Sequence, residues 1–130
     1  MAGVSLAILT LAFGCIDMGS YIVDTDEATR IVNVLDQWAG ERDFARTNCA
    51  EYSNFPAAIK GACFELGRPA GATESVLIAE ELEQGHGVRI WISFRGTAES
   101  KRAQTLESLG SALAAEFGPE NVRPDTNKPR

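Results

Sequence analysis

Two runs late in the chain, "SVLIAEEL" (75–82) and "GVRIWISFRG" (87–96), limit the fold more than any other feature. The second alternates Val88, Ile90, Ile92 and Phe94 against Arg89, Trp91, Ser93 and Arg95, and the first alternates Val76, Ile78, Glu80 and Leu82 with their neighbours. A period of two suits a strand, whose successive side chains leave opposite faces, and it cannot line one side of a helix. Gly85 and Gly87 lie between the runs and offer the positive φ angles that a hairpin loop needs. The pattern predicts an antiparallel sheet covered on one face, with polar residues on the other.

The apolar face of such a sheet needs a cover, and two amphipathic segments provide one. Asp24 and Glu27 stand as a capping box, with Asp as the cap. After them Ala28, Ile31, Val32, Leu35, Trp38 and Ala39 recur at helical spacing, up to Gly40. Phe44 follows as a core residue on a possible edge strand. A second helix begins near Ser100 and carries Ala103, Leu106, Leu109 or Gly110, Leu113, Ala114 and Phe117, until Gly118-Pro119 stops it. Between the first helix and the hairpin, "NCAEYSNFPAAIKG" reads as a loop or a helical turn from Pro56. "ACFELG" reads as a short strand with Phe64 and Leu66 inward, Cys63 and Glu65 outward. The expected architecture is a two-layer α+β domain over 24–122: a three- to four-stranded antiparallel sheet with an N-terminal and a C-terminal helix packed on one face. "IDMGSYIV" reads as part of a tether over 15–23, loosened by Gly19 and Ser20, and 123–130 as a flexible tail. A chain of 130 residues allows one such domain.

Chemistry leaves few traces. The single histidine, His86, lies between two glycines of the hairpin loop, where a turn residue is expected rather than a base or a ligand. Glu80, Glu81 and Glu83 lack the spacing of a calcium loop and read as a solvated strand end. No nucleophile, phosphate-loop or metal-helix motif occurs, so the sequence names no catalytic residue, metal or cofactor. Twelve Lys and Arg against eighteen Asp and Glu give a net charge of −6 without a basic stripe, which excludes the electrostatic footprint of a nucleic-acid binder. One surface invites recognition: Arg89, Trp91 and Arg95 on the outer side of the last strand, an indole flanked by guanidiniums that would suit a glycan, an anion or a protein partner.

The N-terminus bears on location. "MAGVSLAILTLAFGC" has no charged side chain, is too short for a span of about 20 residues, and has the length of a secretory h-region. Ala12 and Gly14 are small residues at −3 and −1 of a cleavage site before Cys15. The arrangement resembles the lipobox of bacterial lipoproteins, although Ala12 stands where that family usually has a branched residue. The resemblance covers residues 1–15. It implies a signal peptide over 1–14 and a diacylglyceryl group on the Cys15 sulfur. It also implies an envelope protein held to the membrane by that lipid. Ile16 is not the aspartate that retains such proteins at the inner membrane, which favours the outer one. Ala-Phe-Gly also fits ordinary secretion, with a secreted or periplasmic product. A third reading makes residues 4–13 a buried strand of a cytosolic α+β enzyme or regulatory domain. With Cys15 used as the anchor, Cys49 and Cys63 remain as an even pair for an oxidising compartment. A disulfide there closes a loop of roughly fifteen residues, worth about 3 kcal/mol on the chain-entropy model. The alternative is two reduced cysteines in the cytosol. The leading expectation is an exported, lipid-anchored module that binds or supports rather than catalyses.

Overall fold

A computed structural model describes residues 17–68, 71, 73–82 and 87–125. In chain order these form β1 (Asp17–Val23), α1 (Ala28–Gly40), β2 (Ala45–Arg46), β3 (Ala58–Gly67), β4 (Thr73–Glu81), β5 (Val88–Phe94), α2 (Glu99–Phe117) and β6 (Val122–Pro124). The fold is α+β, and among the described residues the sheet has six strands, all antiparallel, in the order β2-β3-β4-β5-β1-β6. The expected signal peptide over 1–14, Cys15, His86 and residues 126–130 lie outside the described residues.

The predicted hairpin forms, with Leu77 opposite Ile92 and Ile78 opposite Trp91. Directly opposed residues share a face, so the ladder sorts the side chains into two sets. Val23, Leu77, Ala79, Val88, Ile90, Ile92 and Phe94 join Ile31, Leu35 and Trp38 of α1 and Leu109, Leu113 and Phe117 of α2 in one buried core. Phe44 belongs to it, as expected. Val76, Ile78 and Glu80 fall on the opposite face with Trp91. Between the helices, the Trp38 indole donates to Ser108 Oγ at 3.1 Å and Arg30 pairs with Glu116 at 2.9 Å.

The sheet exceeds the expected three to four strands because both flanking segments pair. Residues 17–23, read as tether, form β1 between β5 and β6. Gly19, read as loosening, instead admits the Leu106 side chain of α2 closely against the strand. Gly110 does the reciprocal service: a Cβ there would stand 2.6 Å from the Tyr21 hydroxyl, which donates to the Leu106 carbonyl at 2.7 Å. The tail read as flexible from 123 is ordered through Asp125. Val122–Pro124 pairs with β1, and the Asp125 amide donates to the Ser20 carbonyl at 3.0 Å. Pro124 lacks a donor, and an edge strand tolerates that. Asp24 does not cap α1. Its amide donates to the Asn121 carbonyl, and Thr25 Oγ1 accepts from the amide of Glu27 at the helix start.

Candidate functional site

The segment from Thr47 to Ala57 builds the outer side of the molecule. Asn48 caps a short 3-10 turn, Cys49–Glu51, by accepting from the Ala50 amide at 3.0 Å; no helical turn starts at Pro56. Cys49 is bonded to Cys63, with Cα atoms 5.4 Å apart across a sequence separation of 14, within the usual disulfide range. Cys63 stands opposite Ile78 and Ile78 opposite Trp91, so the bond lies on the face turned away from the core. Beyond it the Tyr52 hydroxyl donates to Glu65, and the Phe55 ring meets the Trp91 indole edge-on at 6.1 Å. Burial and the Glu65 carboxylate both push the Tyr52 hydroxyl pKa up from its usual 10.0. The segment is thus a cover, held by one covalent bond, one side-chain hydrogen bond and one ring contact.

Beneath and beside the cover lies a polar network. Trp91 Nε1 donates to Glu80 Oε1 at 2.6 Å, and Arg89 Nη1 is 3.6 Å from the same oxygen. Arg89 Nε lies 2.7 Å from Asp125 Oδ2, an ion pair whose N–H is not aimed along a hydrogen bond. Ser20 Oγ donates to Asp125 Oδ2 at 3.2 Å. The Arg89 guanidinium sits over the Trp91 ring, 5.2 Å from its centroid. These contacts fasten β4, β5, β1 and the residue after β6 to one another. They also change the expected recognition surface. Trp91 is only 5% exposed. Arg89 is half-buried and turned to carboxylates of its own chain, and Arg95 is exposed past the strand end, where the Arg68 guanidinium donates to its carbonyl. The three residues do not form an open face. Glu80, read as part of a solvated strand end, is largely buried as an acceptor, whereas Glu81 is exposed.

One cleft among the described residues, of about 280 Å³, lies on the core side. Phe44, Leu66 and Phe94 supply its apolar surface and Ser75 is buried beside them; Lys101, Glu74 and Thr97 bring polar groups. Thr97 Oγ1 donates to Glu74 Oε1 at 3.4 Å. Arg42 also borders the cleft but is engaged elsewhere, donating to the Trp38 carbonyl at 3.0 Å and to Ser108 Oγ at 2.5 Å. An apolar floor with few polar groups is the usual composition of a small-molecule site, and this volume falls just below the usual range of about 300–1,000 Å³. The walls come from the residues after α1, from β3, β4 and β5, from the loop after β5 and from α2, so no single sequence window carried the site.

Among the described residues, no group of three His, Cys, Asp or Glu is placed to hold a metal ion, and no helix is long and apolar enough to cross a membrane. Comparison with protein families, curated proteins and solved structures finds no match for this chain.

Proposed function

We propose that this chain is a small exported module of the bacterial envelope, anchored by a lipid on Cys15 and acting by binding rather than by catalysis. Its domain is a two-layer one, with α1 and α2 on the same side of the sheet, as the shared core of both helices and alternate strand residues supports. The observation that carries the reading is the Cys49–Cys63 disulfide. Such bonds persist in oxidising compartments and are rare in the cytosol, and this one is consistent with export. The apolar run ending at Cys15 supplies the matching address. The cleft bordered by Phe44, Leu66 and Phe94 is the place for a small, mostly apolar ligand, with Lys101 to meet a negative end.

Intact-mass measurement on protein made in a bacterial host, with membranes retained, tests the reading. The expected species begins at Cys15, carries a diacylglyceryl group, and has neither Cys49 nor Cys63 open to thiol labelling after unreduced denaturation. A full-length, unmodified, soluble chain with both thiols reactive would overturn it.

A further inference from the structure

We infer that the end of the sheet where β1 begins rests directly on phospholipid headgroups, with the opposite end pointing away from the membrane; this rests on the lipid-anchor reading of Cys15. The first ground is chain length. Strand β1 starts at Asp17, whose register partner is Phe94 at the end of β5. From Cys15 to Asp17 an extended chain reaches about 7 Å at most. The expected tether therefore does not exist beyond this reach, and a lipid on Cys15 holds the strand end against the interface.

The second ground is where the charges lie. At the β1-start end stand Arg42, Arg68, Arg95, Lys101 and Arg102, from the ends of α1, β3 and β5 and the first turn of α2. They are offset by Asp17, Glu41, Asp43, Glu74 and Glu99, so this end is close to neutral. The far end carries Asp24, Asp26, Glu27, Glu81, Glu116 and Glu120 against Arg30, Lys60 and Arg123, with Arg30 held between Glu27 and Glu116. These groups leave three net negative charges there, half of the chain's −6. An anionic surface attracts nearby Lys and Arg and repels carboxylates within a Debye length of about 8 Å. Long cationic side chains also suit the interface, lying along it with their charges in the headgroup layer. The anchor and the field thus choose the same orientation, and it brings the Lys101 side of the cleft toward the lipid.

The test uses the acylated chain in vesicles of phosphatidylethanolamine and phosphatidylglycerol, with the mass of the same sample recorded. Glu99→Cys and Glu120→Cys, both at exposed positions, each add one free thiol for a fluorophore. With a quencher on the lipid headgroups, strong quenching is expected at position 99 and almost none at 120. Adding Arg95→Glu and Lys101→Glu to the Glu99→Cys protein should weaken quenching while the protein stays anchored. Equal quenching of the two labels on acylated protein overturns the orientation and leaves the anchor standing. A mass without diacylglyceryl overturns both.

Discussion

Replacing Trp91 with Ala should destabilise the domain about as strongly as replacing Ile92, although the two side chains leave opposite faces of β5. Ile92 is fully buried in the core, and its truncation is expected to cost about 2–5 kcal/mol. An alternating strand in a one-sided sheet would make Trp91→Ala nearly harmless. Here the indole is 5% exposed. It meets Phe55 at 6.1 Å and donates to Glu80 at 2.6 Å. Loss of a buried Trp costs about 3–5 kcal/mol in transfer and cavity terms. Glu80 would keep Arg89, 3.6 Å away, so its charge is not orphaned and the loss should stay within that range. Urea unfolding of oxidised protein measures both variants, and a double-mutant cycle with Phe55→Ala should give a coupling of about 0.5–1.5 kcal/mol for the ring pair. Reducing the disulfide frees one end of the cover, so the cost of Trp91→Ala should then fall. A cost below about 1 kcal/mol in oxidised protein would refute the seating of the cover and return Trp91 to the solvent.

Three further outcomes are expected. Reduction of Cys49–Cys63 should lower stability by about 3 kcal/mol on the chain-entropy model, read as a shift of the urea midpoint. In a Trp38→Phe background, it should also raise acrylamide quenching of Trp91. Stability should fall as pH rises above 10. The Tyr21 and Tyr52 hydroxyls both have folded-state pKa values raised above 10.0, so the unfolded chain loses these protons first, and their contribution, complete below that pH, is lost above it. Burial is the larger cause at both, followed by Glu107 for Tyr21 and the hydrogen bond to Glu65 for Tyr52. Tyr52→Phe should flatten part of the alkaline decline; an unchanged profile would remove Tyr52 from the explanation. Gly110→Ala should destabilise by about 1–3 kcal/mol through overpacking against Tyr21. Its helix propensity alone would stabilise by about 1 kcal/mol, so a gain on urea unfolding would show that α2 and β1 are not in close contact.

Local patterns were legible wherever one face of an element repeats. The helical spacing from Ala28 to Ala39 and from Ala103 to Phe117 marks α1 and α2, and the alternation around Ile92 marks the central hairpin. Gly118, at φ 90°, ends α2 as its position before Pro119 implied. Strand β1 was hidden because Gly19 and Ser20 look like linker residues. The reason for a glycine there is the Leu106 side chain, almost ninety positions away. Strand β6 was hidden by its proline, whose missing donor matters little at an edge. The cysteine pair could be matched by parity once Cys15 was set aside. Where that bond would lie in the fold could not be read from the sequence.

That position explains why the outer residues were misread. Alternation tells which face a side chain leaves by, but burial depends on what arrives to cover that face. On the outer face the cover is a loop with no periodicity, joined to the sheet by a bond between residues 14 apart in sequence. It arrives over a polar row, so each covered polar group needs a partner. Glu80 accepts from Trp91, Glu65 accepts from Tyr52, and Asp125 is brought to Arg89 and Ser20 by β6. The arginine and tryptophan of β5 that suggest an open binding surface, Arg89 and Trp91, are under such a cover engaged in internal contacts. An open apolar cleft lies instead on the core side, where Phe44 after α1, Leu66 of β3 and Phe94 of β5 stop short of closing on Lys101.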